Sequence, residues 1–235
     1  MKVGIVIISY NISIDIFLLQ VKAIRKFCQD NFTIEVFDNS TDKPLYEAIR
    51  YHAGQLGLNY TKTFAGGRNS SDSHAFAANF AYHQIKDKYQ YVFFCDHDLI
   101  PVLPFSTVEI LKNGHVMAGL GQGAKKKYLW AGAVMIALDR IDKDMVDFQP
   151  SSEFNLDSGG NLYKIVDKYG EDHCIFFNEA YHQNPYFSAP DYNHYAMIFD
   201  NVFMHFVASS NWANKERHEE RINTLLNIAR EKIGL

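Results

Sequence analysis

Along the first hundred residues, short unbroken apolar runs alternate with stretches whose apolar side chains return every three or four positions. Residues 3–9 are a run of the first kind, which predicts a strand buried on both faces of a parallel sheet, and residues 34–38 make a second strand that ends at Asp38. Between them Ile16, Leu19, Ala23 and Phe27 recur at helical spacing, Lys22, Arg25 and Lys26 fall elsewhere, and Ser13 is placed to cap the helix. Strand, helix and strand of this length make a right-handed βαβ unit. The pattern then predicts a helix over 45–53, a short strand near 58–62, and a helix capped by Asp72 or Ser73 that runs to Ile85. Residues 91–96 form the next buried strand, and Pro101 ends the extended run. Beyond it the rhythm is less regular. It predicts a helix over 105–112, strands over 116–119 and 130–138, and a helix capped by Asp157 or Ser158 that ends near Tyr169. Strands over 174–177 and 197–206 and a charged helix over 213–233 complete the chain, with 178–195 as a long irregular loop. No internal repeat and no linker divides it, so the reading is a single α/β domain with a mostly parallel central sheet flanked by helices.

Composition narrows the function. With 47% hydrophobic and 21% charged residues, a chain of 235 residues can bury a core and does not have the make-up of a disordered one. A formal charge of −4 provides no basic face for nucleic acid. No apolar run reaches membrane-spanning length and the start reads as a strand, not a signal peptide, which predicts a cytoplasmic protein whose membrane contacts are at most peripheral. Cys28, Cys95 and Cys174 lie in apolar patterns without ligand-like spacing and read as reduced core thiols. Aromatic residues reach 14%, enough to serve a core and also to line a polar ligand such as a sugar.

The strand over 91–96 leads into Asp96, His97 and Asp98. Two carboxylates one residue apart at the carboxyl edge of a sheet stand where open α/β folds bind ligands. They repel each other and are costly to desolvate, and a divalent cation bound to phosphate oxygens removes that cost. The plain alternative is a pair of solvated residues capping a turn. Gly66, Gly67, Arg68 and Asn69 form a loop whose amides can meet a phosphate or simply turn the chain. The segment 121–127, with Lys125, Lys126 and Lys127, reads as a solvated loop or as a lid over phosphates. His74, in the first turn of its helix, reads as structural.

Several of these pieces occur in an order that resembles the metal-dependent glycosyltransferases of the GT-A fold, in particular the family 2-like members. They are the opening strand with Ser9, Tyr10 and Asn11, then Asp38-Asn39-Ser40, Asp96 and Asp98, Trp130 with Gly132, Asp157 to Gly160, and His205. The match covers residues 3–215. The resemblance implies a GT-A-type, Rossmann-like domain whose first part, to about residue 101, binds nucleotide, while 102–212 serve metal and acceptor. It implies transfer of a sugar from a UDP- or GDP-type donor to a hydroxyl of a glycan, glycolipid or glycoprotein, with Mn²⁺ or Mg²⁺ as cofactor and inversion at the sugar. Carried over by position, Ser9, Tyr10 and Asn11 line the nucleoside pocket and Asp38 accepts from base or ribose. Arg68 and Lys215 meet the nucleotide, Asp96 touches ribose and metal, and Asp98 and His205 ligate the metal. Trp130 and Gly132 face sugar and acceptor, and Asp157 is the base, its other reading being a helix N-cap. A Glu-Asp pair before the last helix is missing here, which leaves Asp172, Glu179 and Asp191 as further candidates for the base. Two other functions share parts of the pattern. One is a haloacid-dehalogenase-like phosphatase, although there the motif follows the first strand and continues with Thr or Val, where this chain has Leu99, Ile100 and Pro101. The other is a non-catalytic carbohydrate-binding domain.

Overall fold

A computed structural model describes residues 2–64, 70–178, 196–206 and 215–234, without the side chains of 70, 196 and 215–221. The opening run forms β1 (Val3–Ser9), buried at every position. Ser13 caps α1 (Ile14–Phe27) by accepting from the Ile16 N–H. The chain continues through β2 (Phe32–Asp38), α2 (Lys43–Gln55), β3 (Asn59–Lys62), α3 (Ser70–Ile85) and β4 (Tyr91–Asp96). It then leaves this sheet through β5 (Leu99–Pro101) and the one-turn α4 (Thr107–Ile110), and returns as the hairpin β6 (Met117–Gln122) and β7 (Tyr128–Ala137). After α5 (Tyr163–Tyr169) and β8 (Cys174–Phe177) come β9 (Ala196–Phe199), β10 (Phe203–Phe206) and α6 (Lys215–Ile233).

The larger sheet has the order β3-β2-β1-β4-β7-β6-β8. Strands β3, β2, β1 and β4 are parallel, β7 opposes β4 and β6, and β8 follows β6, so β7 alone runs against the rest. The expected mostly parallel sheet is therefore present. Helices cover both of its faces. Ile5, Ile7, Phe93 and Cys95 pack with α1, α2 and α6 on one side. Val6, Ile8, Phe94 and Val134 pack with α3, α5 and Phe148 on the other. A second, antiparallel sheet has the order β5-β10-β9. Phe93 of β4, Phe105 and Phe203 of β10 form a ring cluster with centroids 5.0–5.8 Å apart, which fixes the small sheet against the large one.

Several local expectations need correction. Helix α3 already begins at Ser70, so neither Asp72 nor Ser73 caps it. The helix expected over 105–112 shrinks to Thr107–Ile110, because Ser106 caps it and Leu111 already leaves helical geometry. Residues 197–206 are two strands, with Asp200 and Asn201 in the left-handed turn between them. Neither Asp157 nor Ser158 caps α5. Gly160–Leu162 form a 3₁₀ turn ahead of it, and no side chain caps either element. The loop 66–69 and most of 178–195 lie outside the described residues.

Candidate metal centre

Asp96, His97 and Asp98 stand where β4 leaves the large sheet for the small one, and the backbone of this turn is tied down from three sides. Gln20, buried on α1, donates from Nε2 to the Asp96 carbonyl at 2.6 Å and to the Leu99 carbonyl at 2.9 Å. The His97 N–H donates to the Ile8 carbonyl of β1, and the Phe206 N–H of β10 donates to the Asp98 carbonyl. A turn held this way directs its side chains without freedom to relax. The register of β10 on β5 sets His205 opposite Leu99. That places His205 Nε2 3.1 Å from Asp98 Oδ1.

The result is a cluster of Asp96, Asp98 and His205, one ligand atom from each, all within 4.8 Å of one another. Asp98 and His205 are buried and Asp96 is partly open. Two carboxylates with one imidazole suit Mn²⁺ or a similar first-row ion better than Mg²⁺ alone. His97 Nε2 and His205 Nδ1 are buried without a hydrogen-bond partner among the described residues, and His97 Nε2 lies 3.9 Å from Asp98 Oδ2. The donor set therefore fits a divalent cation. Without one, protons carry the balance. Burial works against an imidazolium at His205, yet the charge of Asp98 and its hydrogen bond, with Asp96 behind it, raise its pKa above the ordinary histidine value.

His74 joins this group from α3. Its Nε2 donates to Asp96 Oδ1 at 2.6 Å, and its Nδ1 lies 3.2 Å from Ser158 Oγ. Here too burial opposes the charge, and Asp96, then Asp157 and Asp98, outweigh it and raise the pKa. The Ser158 N–H donates to Asp157 Oδ1 at 2.7 Å, and the Ser71 hydroxyl of α3 donates to the same oxygen. Asp157 is exposed, and its charge acts on His74 together with those of Asp96 and Asp98. Its loop lies directly on β7. Gly159 has φ +85°, and a Cβ there would come within 2.8 Å of the Ala131 nitrogen and the Leu129 carbonyl oxygen.

Trp130 and Gly132 act as one unit. A Cβ on Gly132 would come within 2.3 Å of the Trp130 ring, so the glycine lets the indole lie across its own strand. The indole also packs on His205, with ring centroids 5.0 Å apart. Carried one step past its last pair, Cys95 with Ala133, the β4–β7 register sets Gly132 beside Asp96.

The residues expected on the nucleoside side lie at the ends of β1 and β2. Ser9 ends β1 fully buried, its Oγ without a partner among the described residues. The Tyr10 N–H faces His97 Nδ1 at 3.3 Å. Asn11, with φ 44°, binds the loop after β2: its Oδ1 accepts from the Thr41 and Asp42 N–H groups, and its own N–H donates to Ser40 Oγ. Asp38 is 0% exposed. Its Oδ1 accepts from the Ser40 N–H and its Oδ2 from the Tyr60 hydroxyl, both at 2.9 Å. Both carboxylate oxygens of Asp38 are thus engaged beneath the loop. Lys126 and Lys127 of the basic hairpin pair with Asp167 and Glu171. Arg68, Glu179 and Asp191 lie outside the described residues, as does the side chain of Lys215, which opens α6.

Sequence reasoning missed Gln20 and His74 as parts of the site. Gln20 left a signal, a polar residue four positions after Ile16 on the apolar stripe of α1. His74 left none, since its partners lie 22 and 84 residues further on.

No protein-family model and no curated protein sequence matches the chain. Solved structures of GT-A-type glycosyltransferases are similar to it. One is the mannosyltransferase PcManGT of Pyrobaculum calidifontis, in complex with GDP-Man and Mn²⁺, at 14% identity and TM-score 0.47, matching 74% of this chain and 54% of that one. A second is TarS of S. aureus, at 21% identity and TM-score 0.37, matching 53% of this chain and 22% of that one. A third is the galactosyltransferase LgtC with donor and acceptor sugar analogues, at 13% identity and TM-score 0.45, matching 74% and 73%. The chain thus spans about half the length of the mannosyltransferase and about a fifth of TarS.

Proposed function

We propose that the chain transfers a sugar from a nucleoside diphosphate sugar to a hydroxyl of a glycan, glycolipid or glycoprotein acceptor, with inversion at the sugar. The observation that carries this reading is the convergence of Asp96, Asp98 and His205, from two sheets, within 4.8 Å at the carboxyl edge of parallel strands. These three residues would hold Mn²⁺ or Mg²⁺, which would supply charge neutralisation for a leaving diphosphate. The loops after β1 and β2, braced by Asn11 and Asp38, form the floor for the nucleoside beside Ser9 and Tyr10. Arg68 and Lys215 are assigned to the diphosphate from their sequence positions. Trp130, laid flat over Gly132, offers a ring edge or face to the sugar. Asp157 takes the acceptor proton: Ser71 and Ser158 hold its Oδ1, which leaves Oδ2 for the hydroxyl. Among the described residues, no helix is long and apolar enough to cross a membrane.

The test is titration calorimetry with UDP and GDP, with and without Mn²⁺, followed by a hydrolysis screen over the matching sugar donors. Binding that requires Mn²⁺ and release of sugar from at least one donor are expected. Nucleotide affinity indifferent to Mn²⁺ would overturn the reading.

A further inference from the structure

We infer that His74 is a positioning residue for both halves of the site: it sets Asp96 for the cation and, through Ser158, fixes the loop that carries Asp157. This rests on the metal reading above and extends it to a residue outside the ligand set. One imidazole on α3 reaches β4 with Nε2, 2.6 Å from Asp96 Oδ1, and the 157–160 loop with Nδ1, 3.2 Å from Ser158 Oγ. An aspartate ligand has two free torsions. With Oδ1 held by His74, both torsions are restrained and the carboxylate stays turned as the cluster needs it. Partners of this kind behind a ligand typically account for about 10–100-fold in metal affinity.

The second contact matters because the other polar ties of the loop run to the 147–151 segment and to Tyr128, through Leu156, Asp157, Gly159 and Asn161, and none of them holds the Ser158 side chain. Gly159 rests on the β7 backbone, and the Ala131 N–H reaches the Ser158 carbonyl only at 3.5 Å. On the opposite side, Ser71 and His74, three residues apart on α3, reach Asp157 and Ser158. The first turns of α3 thus grip the metal ligand and the acceptor-side carboxylate together. A histidine serving only as core filler would need neither contact.

The two contacts separate by substitution. His74→Gln keeps an N–H where Nε2 stands but has nothing at Nδ1; His74→Ala loses both; Ser158→Ala loses only the loop contact. Mn²⁺ affinity is measured by titration calorimetry, hydrogen exchange of residues 156–161 by mass spectrometry, and folding by metal-free melting. His74→Ala is expected to bind Mn²⁺ about 10–100-fold more weakly, while His74→Gln and Ser158→Ala stay within about threefold of wild type. All three are expected to exchange faster over 156–161. Equal Mn²⁺ affinity in wild type and His74→Ala overturns the ligand half, as does an equal loss in His74→Gln. Unchanged exchange in Ser158→Ala overturns the loop half. Should His74→Ala not fold, a tenfold loss of Mn²⁺ affinity in either other variant overturns the assignment. Failure of the wild type itself to bind Mn²⁺ would remove the metal reading and this one with it, which distinguishes the two failures.

Discussion

Asp98 is a buried carboxylate with His205 Nε2 at 3.1 Å and His97 Nε2 at 3.9 Å. Deleting such a group takes the carboxylate away from two buried imidazoles, so an alanine there confounds binding with stability. Asp98→Asn keeps the shape and removes the charge. It should weaken Mn²⁺ binding by more than about tenfold, the loss of one charged ligand exceeding roughly 1.4 kcal/mol, with the metal-free melting temperature shifted by only a few degrees. Calorimetry paired with thermal melting checks this; Mn²⁺ affinity equal to wild type would exclude Asp98 as a ligand. At this scale, part of the site was legible in the sequence. Asp96 and Asp98 announced themselves because an apolar strand ran straight into two carboxylates, and His205 followed from the family resemblance. Asp38 was legible as a strand-end acid, but not the direction of its carboxylate. That direction is set by Tyr60, 22 residues later, whose hydroxyl it receives. His74 was illegible for the same reason, since a single histidine carries no trace of partners on two other elements.

Element boundaries were clearest where one helix or strand buries a continuous stripe, as β1, α1 and β4 do. They blurred where tertiary contacts decide, as in the segment between β7 and α5. There Asp147 replaces secondary structure as the organiser: it accepts from the Asn79 and Asn161 side-chain amides and the Gln149 N–H. Burial alone would raise its pKa, but these three donors and Lys164 outweigh it and hold the value below 3.8. A carboxylate with a lowered folded pKa adds stability above its unfolded pKa and loses it as pH falls through the folded one. Asp147→Asn should therefore be clearly less stable than wild type at pH 7, and the gap should narrow as pH falls below about 3.8. Urea unfolding at several pH values reads this directly, and a gap independent of pH would contradict it. Strand β7 gives a second test. On Gly132 an alanine methyl would come within 2.3 Å of the Trp130 ring, and overpacking of this kind costs roughly 1–3 kcal/mol. In a Trp130→Leu background the ring is gone, so the same change should cost much less. A coupling below about 0.5 kcal/mol in the double-mutant cycle would show that Gly132 is glycine for another reason.

At the scale of the whole molecule, the site exists because two sheets and a loop meet at one edge. The four-strand parallel half ends in Asp96, the small antiparallel sheet brings His205, and the 147–160 segment crosses over β7 to bring Asp157 to α3. This also explains why the base was ambiguous from sequence: Asp157 looked like an N-cap, and only its placement shows that it caps nothing. Its Oδ1 is occupied by Ser71 and the Ser158 N–H, and the residue is exposed. If Asp157 removes the acceptor proton, Asp157→Asn should lower kcat by about 10²–10⁴-fold, the range of general-base contributions. Donor affinity should remain near wild type, because the Asp96, Asp98 and His205 cluster and the loops after β1 and β2 are untouched. The asparagine oxygen can still accept from Ser71 and Ser158, so the loop keeps its anchors and the melting temperature should change little. A purely structural role predicts the reverse, a near-normal kcat in the asparagine variant. Turnover with a true acceptor, beside donor hydrolysis in its absence, separates these outcomes. Hydrolysis by water needs less help from a base aligned on the acceptor hydroxyl, so transfer should fall further than hydrolysis. Transfer within about threefold of wild type would remove Asp157 from the chemistry and send the search for the base to Asp172, Glu179 and Asp191.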